Sequence, residues 1–280
     1  MGEVPAPQLA GLRVGFVGAG RIGVPMAEQL AAHGARVTVY ARRPEVRAEL
    51  DGNGCRAVDT LAGIGVDNDL VISCLYSDAQ FEEMAEGLAG LLAPGSVFAS
   101  HTTGSPATVR TFAEQVGVRG VDAVDAPFSG TPDNIRARTL TVLLGGAEPA
   151  LARVESAVRS YAGTVIRTGD LGSALVLKLL NNVVFAANVQ LGLEVWRLVD
   201  KAGIPLESAL AVLRNSSGGT NAMSYMSSYP SAAAYGEQVR PFLVKDVAVV
   251  EEVATGLGLD LGFLATVVHG GTLNVSAAES

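Results

Sequence analysis

Glycines 18, 20 and 23, in Gly18-Ala19-Gly20-Arg21-Ile22-Gly23, have the spacing of a chain that turns sharply off a strand, meets a pyrophosphate and continues as a closely packed helix. The free N–H groups and positive dipole end of that helix suit phosphate oxygens. The motif follows the apolar run Leu12 to Val17, opens the helical stretch Ile22 to Ala32, and is followed by a second apolar strand, Ala35 to Tyr40. That order is one βαβ unit, and it weighs against an ordinary glycine-rich turn. Pro25 falls in the first helical turn, where its missing N–H costs little. All six motif residues are therefore expected to bind a dinucleotide.

A carboxylate about 20 residues beyond such a motif ordinarily binds the ribose hydroxyls of NAD. Here the end of the second strand reads Val39-Tyr40-Ala41-Arg42-Arg43-Pro44, with two guanidiniums and no carboxylate. A guanidinium forks onto a phosphate, so Arg42 and Arg43 point to NADP, and NADPH is the expected cofactor in preference to NADH. Two solvated arginines in a turn are the competing reading.

From Leu171 to Leu193 the one ionisable residue is Lys178, in a stretch apolar on nearly every helical face. An ammonium in such surroundings needs a reason, and desolvation favours the neutral amine, which suits proton transfer. Asn181 and Asn182, three and four residues on, share its side of the helix. For reduction of a carbonyl, Lys178 would protonate the developing alkoxide and Asn182 would orient it. A lysine that snorkels to the surface fits the same stretch equally well.

The elements that carry these residues alternate. Strand candidates at Leu70 to Leu75, Ser96 to Ser100, Val121 to Ala126 and Thr139 to Leu144 are interspersed with helical stretches, as in a doubly wound, mostly parallel α/β sheet of the Rossmann type. Beyond Gly169 the pattern becomes helical: one long helix from about 172 to 202, then Leu206 to Leu213, Val244 to Gly256 and a stretch from Leu261. The expected division is a dinucleotide-binding domain over 1–168 and an all-helical substrate and oligomerisation domain over 169–280. Asn215 to Gly236, rich in Gly, Ser and Tyr, reads as a loop or short helical pieces. Tyr225, Tyr229, Tyr235, Met223 and Met226 within it suggest core or interface packing sooner than a wall over a substrate.

Composition excludes several functions. The 280 residues are 49% apolar and 17% charged, which rules out disorder, and the net charge of -8 disfavours nucleic acid as a partner. Cys55 and Cys74 offer neither a disulfide framework nor a zinc pattern, and His33, His101 and His269 are scattered, so no metal site is expected. His101, beside Thr102, reads as structural or cleft-lining. The first ten residues, with Ala6 where a myristoylation signal has Ser or Thr, show no leader. The asparagines and lysine of the long apolar helix argue against a membrane span, and a cytoplasmic protein is expected. A long helix apolar all round needs cover, so a homodimer or homotetramer is expected.

In order along the chain, Gly18-Ala19-Gly20-Arg21-Ile22-Gly23 with Pro25-Met26-Ala27, Asp125-Ala126-Pro127-Phe128-Ser129-Gly130, Gly172 with Lys178-Leu179-Leu180-Asn181-Asn182, and Lys245-Asp246 resemble the motifs of the β-hydroxyacid dehydrogenases. The resemblance covers nearly the whole chain. It implies hydride transfer between nicotinamide and a small hydroxy acid, semialdehyde or oxo acid. It further implies that Lys178 is the acid/base group with Asn182 as its partner, and that Ser129, Gly130 and Thr131 hold a substrate carboxylate. Lys245 would lie near both substrate and nicotinamide, and Leu75 and Thr103 would contact the cofactor. From the residues alone, Lys245 starts a helix, where a cation opposes the dipole and calls for an anionic partner; a solvated lysine is the alternative.

The departures are specific. Thr131 and Pro132 follow Gly130 where the family has a second glycine, which stiffens the loop, and Phe128 replaces a smaller apolar residue, so both changes are expected to reshape the acyl end of the pocket. Ser100 stands for the usual Asp, and Tyr76 for the usual Pro. Two rival functions share the fold by resemblance: imine reductases, which generally lack the lysine, and non-catalytic NADPH-binding modules, which typically replace it.

Overall fold

The computed structural model describes residues 8–276; the reading of a leader-free N-terminus falls on residues 1–7 and so lies largely outside them. The chain divides into two compact units, Met1–Lys178 and Leu179–Ser280.

The first unit runs β1 (Arg13–Val17), α1 (Gly23–Ala32), β2 (Arg36–Tyr40), α2 (Pro44–Gly52), β3 (Arg56–Val58), a single 3-10 turn at Leu61–Ile64, and β4 (Leu70–Ser73). It continues α3 (Asp78–Gly90), β5 (Val97–Ser100), α4 (Pro106–Gly117), β6 (Asp122–Asp125), β7 (Phe128–Ser129), α5 (Pro132–Arg136), β8 (Leu140–Gly145), α6 (Ala150–Val158) and β9 (Ala162–Gly169). The strands form one sheet in the order β3-β2-β1-β4-β5-β6-β8-β7, with β9 beside β8. The first six are parallel, and β8 turns antiparallel to β6 and β7. This is the doubly wound sheet that the alternation of strand and helix predicts.

Both faces of the central strands are covered, so β4 and β5 are buried at every position. Their side chains still alternate. Leu70, Ile72, Val97 and Ala99 join a core with Phe16, Met26 and Leu30. Val71 and Phe98 join another, in which Phe81, Phe98 and Phe112 stack with ring centroids 4.7 to 5.8 Å apart. Two strands escape sequence pattern: β3 has three residues, and β9 is exposed along most of its length.

Helix α7 (Ser173–Lys201) runs on from the first unit into the second, which continues with α8 (Leu206–Arg214), α9 (Asn221–Met226), α10 (Ala232–Gly256) and α11 (Phe263–Gly270). Gly192 is the one glycine inside α7, and a side chain there would press on Met223 and Met226 of α9. Met223, Met226 and Tyr235 are buried in the second unit's core, with the Tyr235 hydroxyl donating to the Ala222 carbonyl at 3.0 Å, while Tyr225 is exposed. Tyr229 packs on the same core and against the Tyr235 ring at 5.2 Å, so packing, the favoured expectation for this segment, is where four of its five large side chains go.

Helix α10 begins well before Val244, where the sequence pattern places its start. The segment before Val244 is helical from Ala232, capped by Ser231 and passing through Pro241. A proline frees the carbonyl four residues earlier, and Glu237 lies on an exposed part of the helix where water can satisfy it. Lys245 therefore sits in the helix interior, and the macrodipole at a helix start does not bear on it.

Candidate active site

The turn from β1 into α1 depends on two glycines. Gly18 has φ of +112°, and a side chain on it would overlap the Cys74 carbonyl; one on Gly23 would overlap the Gly18 carbonyl and the Phe16 ring. Gly20 meets nothing, so its surface is open for a ligand. These three positions meet the three demands of the motif: turn, approach and close packing.

A cleft of about 640 Å³ opens at the ends of β1, β2 and β4, where the strand order reverses. Gly18, Ala19, Gly20, Arg42, Arg43 and Leu75 line it, together with Tyr40 and Tyr76. Arg42 and Arg43 are both exposed at its rim, and the Arg47 guanidinium donates to the carbonyls of Ala41 and Arg42 at 2.9 Å, which holds the turn that presents them. Arg43 lies 3.9 Å from Glu45. The cradle and the helix terminus fit the pyrophosphate of a dinucleotide, with two guanidiniums at the rim. Arg21, Ile22, Gly23 and Thr103 are not on the lining: Ile22 packs on the core, Gly23 is buried, Arg21 is exposed and Thr103 is half-buried. Leu75 donates its N–H to the Thr102 hydroxyl at 3.3 Å, tying together the loops that follow β4 and β5.

The second constellation in this unit joins the loop after β6 to the start of α7. Lys178 is half-buried, and its ammonium donates to the Ser129 hydroxyl at 2.9 Å. Ser129 and Phe128 form β7, so their side chains leave opposite faces of that strand. Ser129 is exposed with Gly130, whereas Phe128 packs on the core and against the His101 ring. The bulk of Phe128 is thus directed away from Ser129.

Thr131 opens α5 with a capping box. Its N–H and hydroxyl both reach the Asn134 side-chain oxygen, at 2.9 and 3.0 Å, while its hydroxyl accepts the Asn134 N–H at 3.4 Å. The N–H and hydroxyl of Thr131 serve the loop's own geometry, and the segment Ser129, Gly130 and Thr131 is exposed. Asn134, which had no signal beyond its place three residues after a threonine, organises the loop.

Asp125 is fully buried at the end of β6. Its two carboxylate oxygens accept the N–H groups of Gly172 and Leu175 at 2.7 and 2.8 Å, capping α7 from across the unit. Burial pushes its carboxyl above the usual range, offset in part by those amide donors.

In the second unit Asn182 is buried, and its amide donates to Asp246 at 3.1 Å. Asn181 donates to the Asn182 oxygen at 3.4 Å. Lys245 lies 3.9 Å from Asp246. Asp125 and Asp246 both stand in motifs recognisable from sequence, yet their tasks appear only in the fold.

A doubly wound sheet with a glycine cradle at its switch point, followed by a helix with a lysine near its start, defines a dinucleotide-binding oxidoreductase. Residues 13–169 match the NAD binding domain of 6-phosphogluconate dehydrogenase, and residues 172–270 match the NAD-binding domain of NADP-dependent 3-hydroxyisobutyrate dehydrogenase. The chain belongs to the β-hydroxyacid dehydrogenase family. It is 29% identical over 220 residues to a 3-hydroxyisobutyrate dehydrogenase of Pseudomonas aeruginosa, covering 78% of this chain and 74% of that protein. It is 26% identical over 215 residues to a 2-(hydroxymethyl)glutarate dehydrogenase of Eubacterium barkeri, covering 76% and 71%. A 3-hydroxyisobutyrate dehydrogenase of Mycobacterium tuberculosis, solved with L-serine, shares the fold at a TM-score of 0.82 and 21% identity, over 95% of this chain and 97% of that one. The protein is an NAD(P)-dependent oxidoreductase.

Proposed function

We propose that the protein is an NADP-preferring dehydrogenase or reductase of small carboxylate-bearing hydroxy acids, semialdehydes or oxo acids. The observation that carries this reading is the 2.9 Å hydrogen bond from Lys178 to Ser129, which sets a proton carrier beside an exposed hydroxyl. Relatives named for hydroxy acid substrates support the substrate class. Bound nicotinamide supplies a hydride for reduction of the substrate carbonyl and takes one back in oxidation.

Lys178, as an ammonium, donates its proton to the carbonyl oxygen as negative charge develops there; in the reverse direction the neutral amine accepts the hydroxyl proton. Ser129 and the Gly130 amide hold the substrate carboxylate, with Thr131 shaping the loop through its cap. Asn182, one helical turn beyond Lys178, is the proposed orienting group, itself fixed by Asp246, and Lys245 is proposed to face the substrate and cofactor. Arg42 and Arg43 are assigned to the 2′-phosphate, and Thr103 to the nicotinamide side. The α7 residues Val184, Leu191 and Leu198, 45%, 48% and 55% exposed at heptad spacing, support a homodimer or homotetramer, which light scattering on a sizing column tests.

The deciding experiment measures oxidation of NADPH and NADH against small oxo acids, semialdehydes and cyclic imines, with Lys178→Ala alongside. Turnover of an oxo acid or semialdehyde that disappears in the variant is expected. Good turnover of cyclic imines and none of the acids overturns the reading.

A further inference from the structure

His101 follows β5 and is 1% exposed, and both of its ring nitrogens are paired. Nδ1 lies 2.5 Å from the Ala126 carbonyl oxygen, and Nε2 lies 2.8 Å from the Tyr161 hydroxyl. A carbonyl only accepts, so Nδ1 carries the hydrogen; in a neutral ring Nε2 is then an acceptor, and the Tyr161 hydroxyl donates to it. Burial lowers the His101 pKa to about 4 and raises that of Tyr161, so both are uncharged at neutral pH. Every side-chain polar atom of this buried chain is satisfied.

Its position gives the chain a task. The Ala126 N–H donates to the Ser100 carbonyl at 2.7 Å, so the Ala126 residue is held through its N–H by β5 and through its C=O by His101. Three residues on stands Ser129. Between them the Phe128 ring meets the His101 ring edge-on, with centroids 6.0 Å apart. Beyond them β7 pairs with Val142 and Thr141 of β8. Asp125, next to Ala126, caps the helix that bears Lys178. The segment that presents Ser129 is therefore braced at its origin by one side chain that filling space alone would not require to be a histidine, since an apolar side chain of similar size would fill the same space.

We propose that His101 is a positioning residue: its Nδ1–H holds the Ala126 carbonyl and so fixes Ser129 opposite Lys178, with Tyr161 selecting the tautomer that can donate. The proposal rests on the reading that Ser129 and Lys178 serve the substrate.

Three variants separate the possibilities. His101→Phe keeps a ring and loses both hydrogen bonds. His101→Asn places an amide nitrogen as many bonds from Cβ as Nδ1, restoring the donor to Ala126 without the link to Tyr161. Lys178→Ala reports on the parent reading. For the oxo acid or semialdehyde turned over by the wild type, His101→Phe is expected to lower kcat/KM by about 10- to 100-fold, chiefly through KM, because small displacements of a positioning group carry penalties of that size. NADPH affinity, read by fluorescence titration, stays within about 2-fold, since the arginine rim is untouched. His101→Asn recovers most of the loss. A residue that only fills the core would shift the melting temperature and leave kcat/KM of the folded protein unchanged. Normal kcat/KM in His101→Phe, or no recovery in His101→Asn, overturns the proposal. Retained turnover in Lys178→Ala instead overturns the parent reading. Ring nitrogen NMR on the wild type tests the geometry whether or not the variants fold. Hydrogen on Nδ1 and a bare Nε2 at neutral pH are expected, and hydrogen on Nε2 alone overturns it.

Discussion

Asp125 and Leu175 stand 50 residues apart, and the carboxylate of the first accepts the backbone N–H of the second at 2.8 Å. Leu175 lies three residues before Lys178, and Asp125 four before Ser129. One buried side chain therefore fixes the start of the helix that carries the lysine to the strand end that leads to its serine partner. The pairing of Lys178 with Ser129 at 2.9 Å follows from this brace and from the register of β7 on β8.

Removing the brace strands the amides it caps. Asp125→Ala is expected to destabilise the protein by about 3 kcal/mol in urea denaturation, because buried donors lose a charged acceptor. Asp125→Asn keeps one acceptor oxygen and recovers part of that loss. A midpoint unchanged in Asp125→Ala contradicts the capping role.

Lys178→Ala is expected to leave NADPH binding nearly intact while kcat falls by at least ~100-fold, the ordinary reach of general acid catalysis. Stopped-flow or steady-state NADPH oxidation reads the effect. Near-normal turnover would remove the lysine from the chemistry.

Arg42→Ala is expected to weaken NADPH by about 10-fold, as for loss of one charged hydrogen bond, and to change NADH by less than about 2-fold. Titration of each cofactor by fluorescence decides it. Equal losses would place the 2′-phosphate contact elsewhere.

Gly18→Ala combines a side chain at φ of +112° with overlap on the Cys74 carbonyl, whereas Gly20→Ala meets no protein atom. The first is expected to lower the melting temperature. The second is expected to leave the melting temperature alone and to weaken cofactor binding, since the space its side chain would fill is the ligand's. The reverse pattern of effects would refute the assignment of their separate tasks.

His101 makes stability depend on acid. Its folded pKa, about 4, lies below the ordinary 6.5, so between those values the unfolded chain binds the proton that the folded one refuses. Its contribution is full above about pH 6.5 and is lost as pH falls toward 4, amounting to about 3 kcal/mol at the acid end. Denaturation midpoints at pH 7 and pH 4.5 should draw closer together in His101→Asn than in the wild type. An identical acid loss in both would assign the effect to other groups.

The residues bear unequal marks of their roles. The glycine cradle was legible because its residues act beside their chain neighbours, through φ angles, helix termini and short-range sterics that a motif records directly. The alternation of strands and helices was legible because burial on both faces of a sheet leaves continuous apolar runs. Where local signals are weak or conflict, the reading ran out. β9 has little buried surface to pattern, and α10 continues through Pro241, on an exposed part of the helix where its cost is small.

Lys178 and Asn182 stood out by type in an apolar helix, and Ser129 by resemblance, but no spacing told that lysine and serine meet. Asp125 and Asp246 stood in recognisable motifs without a sign of their tasks, and His101 lay outside any. Sequence by itself determined the dinucleotide cradle and the doubly wound class, since these depend on neighbours along the chain. Tertiary structure alone decided that Asp125 caps α7, that Ser129 faces Lys178 and that His101 links Tyr161 to Ala126, across separations of 50, 49 and 60 residues for the side-chain contacts of Asp125, Ser129 and Tyr161. Contacts at such range exist only once strand order and register have brought distant segments together, and a linear spacing carries no record of either.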